Sequence, residues 1–172
     1  GGGIANVQPF VFRTMQGSMS ICHNGNLVNA NILKQELEEQ GSIFSSTSDT
    51  EVLGHLIKRQ SGHMIDRICT SLDKLDGAFA FLIMVDNRIY AARDKYGLRP
   101  LSIGILPNGA YVFASETCAL DVVGAKFVRD VEPGEIVRVK DGKLLSKIYT
   151  KDPEFRFFMS IQILLIVACT LV

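Results

Sequence analysis

No tryptophan occurs in this 172-residue chain, prolines number five, and neither charge sign is in excess, with 18 Lys and Arg against 18 Asp and Glu. That balance leaves no electrostatic footprint for nucleic acid, and no basic stretch interleaves with the aromatic residues, which are mostly Phe. The four cysteines, Cys22, Cys69, Cys118 and Cys169, stand at wide, irregular spacings with no pair two residues apart. This argues against zinc and dithiol motifs and reads as buried free thiols in a reducing cytosol. His23, His55 and His63 show no ligand spacing with a Cys or an acid, so no metal site is expected from this chain. A Gly-x-Ser-x-Gly nucleophile elbow is also missing.

No apolar run reaches the ~20 residues of a bilayer-spanning helix. The nearest approach is 155–172, apolar apart from Arg156, Ser160, Gln162 and Thr170, but short, interrupted and without a basic flank. No membrane contact is expected; the segment reads as a misread or truncated end, or as one that packs on something outside the chain. The first residue is Gly1 and the first methionine Met15, so the chain is read as a fragment, with a domain over 1–150 and an atypical apolar tail over 151–172.

Within 1–150 the patterning is that of one globular domain with a sizeable core. Residues 18–22 read as a short strand before the turn-forming Asn24-Gly25. A helix is expected over 28–40, with Ile32, Leu33 and Leu37 at helical spacing, Asn29 as N-cap and Gly41 as its stop. Ser48-Asp49-Thr50-Glu51 fits a capping box opening a second helix through Val52, Leu53, Leu56 and Ile57. A third carries Ile65, Ile68, Leu72 and Leu75. From Gly77 the period changes, with strands expected over 78–85, 88–92, 101–106, 110–114, 127–131, 135–140 and 143–149. Short turns between them mean antiparallel pairing, and near-continuous apolar strands mean a sheet covered on both faces. Helices first, then strands without intervening helices, argue an α+β fold.

Three segments can carry chemistry. Asn24 offers a side-chain amide and Gly25 an unobstructed backbone N–H, a pair that can form an oxyanion hole; on the dipeptide alone, a turn is the commoner use. Asp49 at a helix start serves either as a cap or as an acceptor for a substrate ammonium group, and a cap at Ser48 would free it for the second role. The charged stretch 93–101 reads as a solvated loop or a domain contact. Cys22 beside His23 is a poor nucleophile, because adjacent strand residues point to opposite faces.

In order and spacing, HNGNLVN at 23–29, SDTEVLGHLI at 48–57, DGAFAF at 76–81, RDKYGLRPLSIG at 93–104 and ASE at 114–116 resemble the glutaminase domain of the amidophosphoribosyltransferase family over residues 4–150. Glucosamine-6-phosphate synthase, asparagine synthetase and glutamate synthase share the His-Asn-Gly and Ser-Asp-Thr-Glu elements. The second Asn of HNGNL and 95–100 favour the purine family over these class II relatives. The resemblance implies an N-terminal-nucleophile hydrolase fold, a four-layer αββα sandwich of two antiparallel sheets, incomplete here at its N-terminus. It implies that Asn24 and Gly25 form the oxyanion hole and that Asp49 holds the α-amino group of glutamine. An N-terminal Cys would attack the amide, and ammonia would pass to a phosphoribosyltransferase domain. That Cys and an arginine gripping the substrate carboxylate are missing, and residues 1–8 resemble the end of a loop that closes over glutamine. The fragment is therefore expected to be inactive alone. Magnesium and, in part of the family, an iron–sulfur cluster would belong to the transferase part; the parent is expected to be a cytoplasmic homo-oligomer. The alternatives are another class II amidotransferase, or a non-catalytic remnant that binds glutamine or a partner.

Overall fold

A computed structural model describes residues 6–14, 17–150 and 167–169. Six strands form one antiparallel sheet: β1 (Phe10–Thr14), β2 (Gly17–Leu27), β3 (Gly77–Val85), β4 (Arg88–Arg93), β8 (Glu135–Lys140) and β9 (Lys143–Ile148), in that spatial order. A second antiparallel sheet has the order β10 (Val167–Cys169), β6 (Tyr111–Ala114), β5 (Ser102–Ile105) and β7 (Lys126–Asp130). Helices α1 (Ala30–Glu39), α2 (Thr50–Arg59) and α3 (Met64–Leu72) precede β3, and the short α4 (Thr117–Val122) lies between β6 and β7.

Period-two alternation in the strands sorts the side chains into three cores, and these define the layers. Met19, Ile21, Phe79, Phe81 and Ile83 project from the first sheet onto Leu37, Leu53, Ile57, Ile68 and Leu72 of the helices. The alternate residues Leu82, Ile89, Ala91 and Val137 meet Ile103 and Phe113 of the second sheet and Leu101 just before β5. On that sheet's far side Val112 and Ala114 pack on Ala119 and Leu120 of α4. The order helix, sheet, sheet, helix is the αββα sandwich that the resemblance implies. Each fully buried Leu, Ile or Phe contributes roughly 1.5–3 kcal/mol of burial, so the central strands β3 and β4, covered on both faces, anchor the molecule.

Five expectations are corrected. Asn24-Gly25 is not a turn: β2 runs straight through it, because pairing with β3 as far as Leu27↔Gly77 outweighs the local turn tendency of the dipeptide. A helix does intervene among the later strands, since α4 caps the second sheet. Asn29 does not cap α1; its carboxamide clamps the chain entering β3, donating to Lys74 O and accepting from the Asp76 N–H, both at 2.9 Å. The Glu51 carboxylate reaches back past Ser48, taking the N–H and hydroxyl of both Ser45 and Ser46 at 2.6–3.0 Å.

The fifth correction is the largest. The stretch from Arg93 to Arg99 is a built corner, not a solvated loop. Asp94 is fully buried and its carboxylate accepts the backbone N–H groups of Phe79, Tyr96, Leu98 and Arg99 at 3.0–3.2 Å. Arg93 donates to the carbonyls of Gly97, Arg99 and Val131, tying the corner to the chain just after β7. The charges of Asp94 and Arg93 are met by backbone amides and carbonyls, and Lys95 lies 3.6 Å from the Asp76 carboxylate. The tail reading of 155–172 lies outside the described residues except for β10, which pairs antiparallel with β6. Among the described residues no helix is long and apolar enough to cross a membrane.

Candidate functional site

Strand geometry sets the site. In an antiparallel ladder the N–H and C=O of one residue point to the same side, and successive residues alternate. Pairing with β1 (Ile21 opposite Phe10) puts the odd-numbered backbone groups of β2 on the β1 side. Beyond the start of β1 that edge would be bare. At His23 the Gln8 side chain replaces a strand, its carboxamide accepting the His23 N–H and donating to the His23 carbonyl. Four residues further on, the Leu27 N–H donates to Asp49 Oδ2 at 2.9 Å.

Gly25 lies between them. It faces Phe79 across the ladder, but Phe79 spends both its backbone groups on Asp94, at 2.9 and 3.2 Å. The Gly25 N–H therefore points out along the β2 edge, flanked by the Gln8 carboxamide and the Asp49 carboxylate. Among the described residues no acceptor meets it. The glycine itself is demanded by β3: at φ 144° a Cβ would sit 2.0 Å from the Ala78 carbonyl oxygen. The reading of Gly25 as space for a ligand thus changes; the space is filled by the neighbouring strand, and what is offered to a ligand is the amide. Asn24 is buried, on the face of the sheet opposite His23.

Asp49 is where the two sequence readings separate. Its side chain makes no capping bond to α2, and the Thr50 N–H is taken by Ser48 Oγ at 3.3 Å. The carboxylate turns to β2, with Oδ1 3.2 Å from His23 Nδ1 and 23% of the side chain exposed. Burial pushes its pKa up, but the hydrogen bond to His23 and the amide of Leu27 outweigh that, holding the carboxyl below its ordinary value. It stays ionised at neutral pH with lone pairs still facing solvent.

His23 was not singled out as a site residue, nor were Gln8 and Thr50. The imidazole is buried, stacked on Phe81 at a centroid distance of 4.4 Å, with Nδ1 also 3.2 Å from Thr50 Oγ1. The available signal was a histidine directly before Asn24-Gly25 in the strand. Cys22 points to the opposite face, and burial pushes its thiol up, which keeps it protonated and a weak nucleophile. Among the described residues no group of three His, Cys, Asp or Glu side chains could hold a metal ion. Cavities of about 760 Å³, near Arg13, Arg67 and Arg88, and 520 Å³, near Tyr111 and Val139, include none of Asn24, Gly25 and Asp49.

Residues 4–122 match the model of the glutamine amidotransferase domain family. The chain belongs to that family. Among curated relatives, the amidophosphoribosyltransferase of Bacillus subtilis is 57% identical over 153 residues, covering 87% of this chain and 32% of that one. That of Staphylococcus epidermidis is 47% identical over 150 residues, with 87% and 30% covered. The solved glutamine phosphoribosylpyrophosphate amidotransferase of B. subtilis, complexed with ADP and GMP, superposes with a TM-score of 0.85 at 54% identity, over 88% of this chain and 33% of that one. A glutamine aminotransferase class-II domain protein of Silicibacter pomeroyi shares the fold at a TM-score of 0.65 and 15% identity, with 88% and 73% covered. This amidotransferase domain spans about a third of the length of the curated relatives it matches.

Proposed function

We propose that this chain is the glutamine-binding part of an amidophosphoribosyltransferase of de novo purine synthesis. Glutamine lies along the β2 edge, its side-chain carbonyl on the Gly25 N–H and the Asn24 carboxamide and its α-ammonium on Asp49. The observation that carries this reading is the open Gly25 amide set two residues from an amide already held by a carboxylate. Two residues of strand span ~6.7 Å, a gap that an extended glutamine bridges with a hydrogen bond at each end. Donors aimed at a developing oxyanion are worth ~2.7–4 kcal/mol each, and the carboxylate adds a charge-assisted bond to the ammonium.

Cleavage of the amide needs a thiolate at its carbon, and Cys22, protonated and on the far face of the strand, does not supply one. The 172-residue chain therefore binds glutamine without hydrolysing it. In the intact enzyme an N-terminal Cys attacks, and the ammonia released reaches a phosphoribosyltransferase domain that makes phosphoribosylamine from phosphoribosyl pyrophosphate. Magnesium and any iron–sulfur cluster belong to that domain, and the parent is a cytoplasmic homo-oligomer. Calorimetry with L-glutamine tests the reading: binding to the chain and its loss in Asp49→Ala, with an unchanged melting transition, are expected. Absence of binding to the unaltered chain would refute it, and ammonia release at a catalytic rate would refute the inactivity.

A further inference from the structure

We infer that His23 is a positioning residue that fixes the Asp49 carboxylate for an ammonium ligand through a single tautomer, with the proton on Nδ1. The inference rests on the proposed glutamine reading for its ligand, but its geometry stands by itself. Nδ1 lies 3.2 Å from Asp49 Oδ1 and 3.2 Å from Thr50 Oγ1. A carboxylate only accepts, whereas a hydroxyl donates or accepts. Were Nδ1 bare, its lone pair would face Asp49 Oδ1 at that distance, a repulsive contact; the Thr50 hydroxyl tolerates either arrangement. Asp49 therefore places the proton on Nδ1.

The other nitrogen agrees. Nε2 is buried and has no hydrogen-bond partner among the described residues. A buried N–H without an acceptor costs the full desolvation of that donor, so the bare form of Nε2 is the tolerable one. Both nitrogens select the same arrangement, hydrogen on Nδ1 and a bare Nε2. Stacking on Phe81 holds the plane of the ring, and Ser48 Oγ, 3.1 Å from Thr50 Oγ1, fixes the hydroxyl on its other side.

The consequence concerns direction. With Oδ2 tied to the Leu27 N–H at 2.9 Å and Oδ1 to His23, the carboxylate is bonded at both oxygens and cannot rotate about its terminal torsion. Its remaining lone pairs present one fixed direction to a cation. An Asp held only by the Leu27 amide would sample several orientations and bind an ammonium group more weakly, because ordering the carboxylate would then be a cost of binding.

Two variants of the full chain separate this from simple packing. His23→Phe keeps an aromatic ring on Phe81 and removes the donor; His23→Asn puts a side-chain N–H close to the position of Nδ1. Nitrogen-15 spectra of the unaltered chain are expected to show Nδ1 protonated and Nε2 bare. The Asp49 carboxyl carbon shift is expected to move in His23→Phe and to return toward the original in His23→Asn. Glutamine affinity should fall at least tenfold in His23→Phe and stay within about threefold in His23→Asn. A bare Nδ1, an Asp49 shift indifferent to His23→Phe, or equal affinity of His23→Phe and the unaltered chain would each overturn the inference. If the unaltered chain binds no glutamine the functional reading falls, while the nitrogen and carbon spectra still decide the role of His23.

Discussion

Replacing Asp94 with Ala should destabilise the domain strongly, and replacing it with Asn should do so to a smaller extent. Each carboxylate oxygen accepts two amides: Oδ1 those of Tyr96 and Leu98 at 3.0 Å, Oδ2 those of Phe79 at 3.2 Å and Arg99 at 3.0 Å. An Asn side chain keeps one acceptor and turns an NH₂ group against two N–H donors, so half the cluster becomes repulsive whichever way the amide is flipped. The Phe79 and Arg99 amides make buried bonds and the Tyr96 and Leu98 amides half-buried ones, so water can re-satisfy only the second pair. At roughly 1–3 kcal/mol for each buried donor stripped of its acceptor, the loss in Asp94→Ala is about 4 kcal/mol, and it is smaller in Asp94→Asn, whose oxygen can turn to the buried pair. That is a large part of the ~5–15 kcal/mol that holds a typical domain. With no Trp in the chain, far-UV circular dichroism in urea is the suitable probe. At a slope of ~2 kcal/mol/M the midpoint should fall by about 2 M in Asp94→Ala, and by less in Asp94→Asn, with the slope unchanged. Asp121→Ala, at an exposed position on α4, should stay within ~0.5 kcal/mol of the original. If Asp94→Asn retained the original midpoint, the corner would not be organised by the carboxylate and the reasoning would be wrong.

Gly25→Ala should lower the melting temperature sharply or prevent folding, since its Cβ would sit 2.0 Å from the Ala78 carbonyl at a backbone angle that L residues rarely adopt; a melting curve like the original would refute the tight β2–β3 approach. Acid should destabilise the domain through Glu51 and Glu135. Burial raises both carboxyls, but the Ser45 and Ser46 donors around Glu51, and Arg129, Ser146 and the Glu132 amide around Glu135, outweigh it and hold both below the ordinary range. Native-state values below the unfolded value of ~4.3 mean that the native state binds fewer protons, so their stabilisation is complete above that pH and is lost as pH falls through the lowered values. Urea midpoints measured from pH 6 to pH 3 should drop, and less steeply in Glu135→Gln, already weakened at pH 6; equal slopes would contradict the assignment.

Much of the architecture was legible because local pattern and tertiary demand coincide. The strand over 135–140 and the apolar stripe of α2 are as periodicity places them, since a strand covered on both faces and a helix lying on a sheet must carry those residues. The family motifs likewise marked Asn24, Gly25 and Asp49 before any geometry was known. The strand β1 was missed, only five residues long and close to the start of the sequence. Asn24-Gly25 misled because a dipeptide reports its own turn tendency and says nothing of the strand lying beside it. The 93–99 corner misled for a related reason: charged residues ordinarily mean solvent, and only the fold reveals that four amides converge on one carboxylate.

The sequence by itself determined the family, the α+β class and the residues that face glutamine in the proposed reading, because these depend on residue type and order. Tertiary structure alone decided that Gly25 offers an amide at a strand edge, that Asp49 turns from its helix to β2, and that His23 and Gln8 join the site. Each of those depends on which backbone groups remain unpaired once the strands are in register, and pairing across tens of residues is a property of the assembled sheet.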